Sequence, residues 1–290
     1  MNRATLFDSL VDEALKSGPE LALLRPVVEK ELLHHDILRE MSGAGLLAGL
    51  TFIGGTCLRA CYGSPRLSED LDFTGGNEFN RSDLIELGKV LRESLGTRYG
   101  LQVTVSDPVR EERKVSTWKM RVETHPDRKD LPAQRIHIDI CAIPSHNPRP
   151  MMLRNLYGVD MGTAGLILQA ESREEILADK LIALAFREGR IKNRDLWDIA
   201  WLRQQGVELP VALIPLKIED HRRSAEEFRM LLPAKAAELP KDPSMRKEFV
   251  AEMRRFLPAA ITAQTVEQES YWQYLTQVII EETDGALAAI

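Results

Sequence analysis

The sequence predicts an α+β chain, with strands and helices mingled through the first half and helices dominating the second. Three observations carry this. Segments of strand period recur up to residue 140, among them Thr51-Phe52-Ile53, the acidic stretch Ser68 to Phe73, and Arg135 to Ile140. A Pro/Asn-rich break follows at 144–150. Beyond it, apolar residues recur mainly at helical spacing. The expected division is 1–150, N-terminal helices plus a sheet-bearing core, and 151–290, a mainly helical domain.

At 290 residues, 28% charged and 44% hydrophobic, the chain has ample core for one large domain or two modest ones. A net charge of -6 argues against a protein that coats nucleic acid indiscriminately. Local basic segments remain, at Arg110 to Arg135 (eight Lys/Arg against five Asp/Glu) and at Arg187 to Arg194. Three cysteines, Cys57, Cys61 and Cys141, form no CxxC pair and read as small buried hydrophobes in a reducing compartment. No apolar run approaches the roughly 20 residues that span a bilayer, and no signal-peptide core opens the chain. The expected location is the cytoplasm, with no membrane contact.

From Leu21 to Met41, Leu24, Val27, Val28, Leu32 and Leu38 mark a helix; His34 and His35 on it are given packing roles. Gly43-Ala44-Gly45 interrupts it. The strand Thr51-Phe52-Ile53 then runs into Gly54-Gly55, where backbone can approach a phosphate closely. Thr56 opens a short helix whose free amides favour an anion, ending near Tyr62-Gly63-Ser64-Pro65. An acidic strand follows at once. Alternation puts Ser68, Asp70 and Asp72 on one face, with Leu71 and Phe73 turned into a core. Two carboxylates that close repel unless a cation sits between them, and a divalent metal carrying a nucleoside triphosphate meets that need. The combination is a nucleotidyltransferase layout. A Walker loop is excluded, because no Lys-Ser or Lys-Thr follows the glycines at the required spacing.

Asn80 to Arg98 reads as a helix capped by Asn80 or Ser82. Three strands are expected next. Leu101 to Val105 alternates; Ser116 to Glu123 faces Trp118, Met120 and Val122 inward; Arg135 to Ile140 faces its isoleucines inward and His137 and Asp139 outward. Asp139, in a sheet already holding Asp70 and Asp72, suits a third metal ligand. Past the break comes one short apolar segment, Gly165 to Leu168. Ser172-Arg173-Glu174-Glu175 then matches a capping box, opening a helix with the stripe Ile176, Leu177, Leu181 and Leu184. Lys180 falls inside that stripe with Arg187 two turns on, which calls for an anion opposite; Asp179, on the other face, reads as solvated. In the apolar helix Arg194 to Leu202, capping is one structural use open to Asp195, and Asp198 needs a cationic partner among Lys180, Arg187 and Arg194. From Pro210 onward there are amphipathic helices, such as Lys247 to Leu257 and Glu267 to Glu282, and no chemistry.

The ordered set Gly54-Gly55-Thr56, Ser68-Glu69-Asp70-Leu71-Asp72, Glu175-Ile176-Leu177-Ala178-Asp179-Lys180-Leu181 and Arg194-Asp195 through Asp198 resembles the AbiEii/AbiGii toxin family of nucleotidyltransferases. That family includes the MenT toxins and belongs to the DNA polymerase β-like superfamily. The resemblance spans about Gly54 to Leu202. It implies a polymerase β-like mixed sheet with flanking helices, then a helical domain closing the nucleotide cleft. It carries metal binding and catalysis onto Asp70 and Asp72, with Asp139 as the superfamily's third carboxylate. It carries triphosphate contact onto Gly54, Gly55, Thr56 and Ser68, and phosphate binding onto Lys180, with Arg187 beside it. Asp195 and Asp198 fall in its last acidic motif and, with Lys180, are expected among the catalytic residues. The superfamily often has Gly-Ser where this chain has Gly55-Thr56, which keeps the hydroxyl. The reaction implied is transfer of a nucleoside monophosphate from an NTP to an RNA acceptor, most plausibly a tRNA 3′ end. Two Mg2+ (or Mn2+) ions would serve it, in a toxin held by an antitoxin partner. Two other readings stay open: an acceptor that is a small molecule or a protein side chain, and a non-catalytic nucleotide-binding regulatory module.

Overall fold

Phe52, Leu71, Phe73, Ile138 and Ile140 are at most 1% exposed, and each lies on the same side of its strand. Burying such side chains contributes about 1.5–3 kcal/mol apiece, enough to fix which face of the sheet is inward. The computed structural model describes residues 3–108, 115–128 and 130–290. Its strands are β1 (Thr51–Ile53), β2 (Leu71–Thr74), β3 (Val103–Ser106), β4 (Val115–Val122), β5 (Gln134–Cys141), β6 (Pro148–Met152) and β7 (Ile167–Glu171). They form one mixed sheet in the order β3-β4-β5-β2-β1-β7-β6. β3, β4 and β5 are antiparallel; β2 runs parallel to β5 and antiparallel to β1; β7 is parallel to β1.

Helices α1 (Arg3–Ser17), α2 (Arg25–Gly43) and α4 (Leu87–Tyr99) pack together, with α2 also against β5 and α4 against β3. Buried Asp36 of α2 accepts a 2.7 Å hydrogen bond from Tyr99 of α4, fixing how the two helices meet. His34 and His35 are buried packing residues, bonded to the Glu69 carbonyl and to Thr163 Oγ1. Helix α3 (Gly54–Tyr62) follows β1 directly and ends at Gly63, whose φ of 79° is the left-handed turn a glycine supplies.

The chain divides into two compact units, Met1–Pro144 with Pro148–Ala170, and Ser145–Asn147 with Glu171–Ile290. The second unit holds α5 (Arg173–Phe186), α6 (Asn193–Gln204), α7 (Leu213–Asp220), α8 (Ala225–Glu238), α9 (Pro243–Met253), α10 (Ala259–Gln264) and α11 (Glu269–Leu287). Within it α5 packs on α6, α7 and α8, and α11 on α6 and α8. Among the described residues no helix is long and apolar enough to cross a membrane.

Four details depart from the sequence reading. Ser68 and Asp70 precede β2 rather than lying in it, because their backbone is held by side chains instead of a strand neighbour. Glu31 accepts from the Ser68 N–H at 2.8 Å, and Thr56 donates to the Asp70 carbonyl. Asn80 caps a single 3-10 turn, Arg81–Leu84, with Asp83 returning to the Asn80 N–H; the α-helix proper begins at Leu87. The segment after the break contributes two strands, β6 and β7, to the same sheet. Ser172 caps α5 as expected, but the Glu175 carboxylate turns instead to the N–H groups of His146 and Asn147. Of the basic segment 110–135, Arg110, Arg113, Lys114 and Lys129 lie outside the described residues.

Candidate active site

Strand register brings two of the three candidate metal ligands together, and the third reaches the same sheet through a hydrogen bond. Asp72 of β2 and Asp139 of β5 are direct partners in the parallel ladder, so their side chains leave the same face. Asp139 Oδ1 is buried without a hydrogen-bond partner among the described residues. Asp70 reaches across to β5, where its Oδ1 accepts from the His137 N–H at 3.0 Å, with His137 Nδ1 at 3.4 Å. That bond anchors one oxygen; Asp70 Oδ2 makes no hydrogen bond or ion pair among the described residues.

The glycine turn abuts this row. Ile53 pairs with Asp72 across the β1–β2 ladder, and Gly54 follows with φ 74°. A Cβ there would stand 3.1 Å from Asp72 Oδ2, so a side chain would be strained by the dihedral and would push that carboxylate aside by a few tenths of an ångström. No side chain caps α3 at Ile53, so the first turn of the helix has no side-chain acceptor there, the condition under which a helix N-terminus favours an anion. The helix begins at Gly54, two residues ahead of the expected Thr56. Thr56 is buried, shares a 2.6 Å hydrogen bond with Ser68 Oγ and donates to the Asp70 carbonyl. These two hydroxyls therefore shape the acidic segment.

Helix α2 grips the same segment from behind. Glu31, 4% exposed, accepts from Ser68 N–H, from Arg59 at 3.0 Å and from Tyr157. Lys30 pairs with Glu69 at 2.8 Å, and His34 Nε2 donates to the Glu69 carbonyl at 3.0 Å. Burial pushes the His34 imidazole below its ordinary range, so it stays neutral, as that donor role permits. The signal for this bracket was present in the sequence as glutamates inside an apolar helical pattern, at Glu29 and Glu31, and went unread.

In the helical unit, Lys180 of α5 meets Asp195 at 2.6 Å and Asp198 at 2.8 Å, both on α6, and Arg187 meets Asp195 at 3.0 Å. The cationic partner that Asp198 required is Lys180. The anion opposite Lys180 is supplied by two protein carboxylates. Asp195 does not cap α6; burial would raise its pKa, but Lys180, Lys192 and Arg187 pull it down to about 2. Arg194 turns to Glu252 at 3.5 Å and over the Phe256 ring.

A second buried charge cluster was missed. Lys217, 1% exposed on α7, contacts Glu175 at 2.6 Å, Asp179 at 2.9 Å and Glu171 at 3.2 Å. Asp179 is thus paired and half-buried rather than solvated, because α7 packs on the face of α5 that carries it. Burial and the neighbouring Asp179 hold Glu171 well above the usual carboxylate range. The readable signal was a lysine within the stripe Leu213, Ile214, Lys217, Ile218.

Divalent metal suits the Asp72–Asp139 pair on two grounds: a buried carboxylate oxygen without a partner, and an acidic row beside amides that would face a triphosphate. Among the described residues, no three His, Cys, Asp or Glu side chains form a ready-made metal cluster. That is compatible with Mg2+, which binds through one or two carboxylates plus substrate phosphates.

Residues 36–277 match the family profile described as "Nucleotidyl transferase AbiEii toxin, Type IV TA system". Among solved structures, the nucleotidyltransferase toxin MenT4 of Mycobacterium tuberculosis H37Rv aligns over 99% of this chain and 98% of its own, at 19% identity and TM-score 0.55. The protein JHP933 of Helicobacter pylori aligns over 88% and 94%, at 19% identity and TM-score 0.47. No curated protein matches the sequence. The MenT4 alignment establishes a shared fold across nearly the whole chain, and the profile spans most of it. The chain belongs to the AbiEii family of nucleotidyltransferase toxins.

Proposed function

We propose that this nucleotidyltransferase moves a nucleoside monophosphate from an NTP onto the 3′ hydroxyl of an RNA, tRNA foremost, in the cytoplasm. The acceptor oxygen bonds to the α-phosphorus as the bond to pyrophosphate breaks. The observation that carries this reading is the register of Asp72 with Asp139 beside the Gly54 turn. Asp72 and Asp139, with the second oxygen of Asp70, would hold Mg2+ or Mn2+. Bound there, such ions lower the pKa of the attacking hydroxyl and neutralise the triphosphate. The α3 amides at Gly54, Gly55 and Thr56 would receive phosphate oxygens, while Ser68 and Thr56 hold the acidic segment in place. The positioning role of Asp195 and Asp198 is to fix the Lys180 and Arg187 charges; Arg187 Nη2 spends its bond on Asp195, at 39% side-chain exposure. Membership of a toxin–antitoxin family supports a cognate antitoxin as a further partner.

Incubation with α-labelled NTP and either total RNA or total protein tests the reading. Label is expected in RNA. Asp72→Asn should abolish transfer by more than the ~10–100-fold typical of losing an outer metal partner. Stability should hold or rise slightly, since one of two facing carboxylates loses its charge. Label in protein or in a small molecule would discard the RNA acceptor and leave the metal chemistry standing. Undiminished transfer by the folded Asp72→Asn variant would sink the metal site.

A further inference from the structure

The -6 net charge obliges any polyanion to bind through a local patch. The run Arg187 to Arg194 is largely spent internally, with Arg187 on Asp195 and Arg194 on Glu252. The sheet offers a different patch. Across β3, β4 and β5 the ladder aligns Ser106, Lys119 and His137 in one row and Thr104, Arg121 and Arg135 in the next. The row on the other side of Lys119 and His137 is Thr117, Asp139 and Asp72. All of these side chains leave the face opposite the buried one. Those of both basic-bearing rows are exposed, while Trp118, Met120 and Ile138 alternate inward.

Two features of the patch lack a structural explanation. Arg121 and Arg135 are direct cross-strand partners, and like charges so placed destabilise a ladder. Arg121 has Glu123 at 2.8 Å, but Lys119 and Arg135 make no hydrogen bond or ion pair among the described residues. Exposed cations in adjacent rows of a sheet, two of them without a carboxylate partner among the described residues, are complementary to a row of phosphates. Successive rows are about 7 Å apart, two residues of strand rise, and the progression leads straight into the carboxylate row.

Resting on the reading of an RNA acceptor, we propose that the exposed face of β3, β4 and β5 is the track for a single-stranded RNA 3′ end. The phosphate nearest the terminal hydroxyl lies over Lys119 and His137, and the next over Arg121 and Arg135. The track holds backbone alone. Thr104, Ser106 and Thr117 offer no aromatic platform on which a base could stack, so recognition here is tolerant of sequence.

Fluorescence anisotropy with labelled single-stranded RNA oligonucleotides of several sequences, without NTP, tests this on the full chain. Lys119→Ser and Arg135→Ser should each raise Kd by a similar factor for every sequence and reduce the salt slope by about one. Both sites are exposed and Arg135→Ser relieves a like-charge pair, so the melting temperature should not fall in either variant. Lys89→Ser, an exposed lysine on α4 off this face, should leave Kd unchanged. Wild-type Kd and slope in both sheet variants overturn the proposal, as does binding of polyglutamate in place of RNA. The labelled-NTP assay reads the function separately. Failure to label RNA discards the acceptor assignment, while the anisotropy result alone decides whether this face binds RNA.

Discussion

Gly54 is the residue where backbone and chemistry are least separable. Its positive φ strains any side chain, and at 3.1 Å from Asp72 Oδ2 a Cβ displaces that carboxylate. Gly54→Ala should cost about 1–3 kcal/mol of stability by thermal denaturation. It should also raise the Mg2+ concentration needed for transfer, because the Asp72 carboxylate must give way. Lys180 is a different case. Its ammonium neutralises two carboxylates that are at most 3% exposed, so Lys180→Ala takes a buried counter-charge from both, leaving Asp195 with Arg187. The expected loss is about 3–5 kcal/mol. A stability loss without change in NTP affinity would confine Lys180 to a structural pairing; a rise in NTP Kd at preserved stability would make it a phosphate ligand. The pH dependence follows from Asp195, whose folded pKa of about 2 lies below the ordinary 3.8. Its contribution is therefore complete above about pH 4 and lost as pH falls through 2, which acid titration of wild type followed by circular dichroism would read.

At the scale of elements, α2 acts as a bracket for the segment carrying Asp70. Glu31→Ala would leave the Ser68 N–H, Arg59 and the Tyr157 hydroxyl without their acceptor. An unsatisfied buried group costs about 1–3 kcal/mol, and transfer should fall more steeply than stability because Asp70 is released. Glu31→Gln keeps an acceptor for Ser68 and should recover part of the activity, measured as kcat at saturating NTP. None of this was legible from the acidic motif itself. Alternation identified the faces of β4 and β5 correctly, since Trp118, Met120 and the isoleucines report burial directly. It overextended β2, because Ser68 and Asp70 alternate with Leu67 and Leu71 as a strand would while their backbone bonds go to Glu31 and Thr56. Partner identity is the part a period cannot carry. Lys180 and Lys217 both sit in apolar stripes, and nothing in either stripe says whether a ligand or a carboxylate waits opposite.

For the whole molecule, the sheet unit runs to Ala170 and takes in β6 and β7, so the Pro/Asn-rich break at 144–150 interrupts it without ending it. A fragment of residues 1–150 lacks the strand that flanks β1, and a fragment of 1–170 retains it. The longer fragment should unfold cooperatively in urea; the shorter should show no such transition or aggregate, since a strand edge is left bare. The break was legible as composition. That the chain returns to the sheet afterwards was not, because Ile167-Leu168 is too short an apolar run to distinguish a central-sheet partner from a helix start.

The pairing of β1 with β7 also sets a clock on synthesis. Phe52 meets Ala170, a partner made 118 residues later. At 5–20 residues per second the nascent chain waits about 6–24 s with one edge of β1 uncovered. Through that interval the Gly54 turn hangs from a strand supported on one side, and its placement beside Asp72 lacks the support of β7. A ribosome paused anywhere before residue 170 therefore carries an unfinished enzyme, and a toxin of this design cannot become competent until translation has passed the middle of its 290 residues.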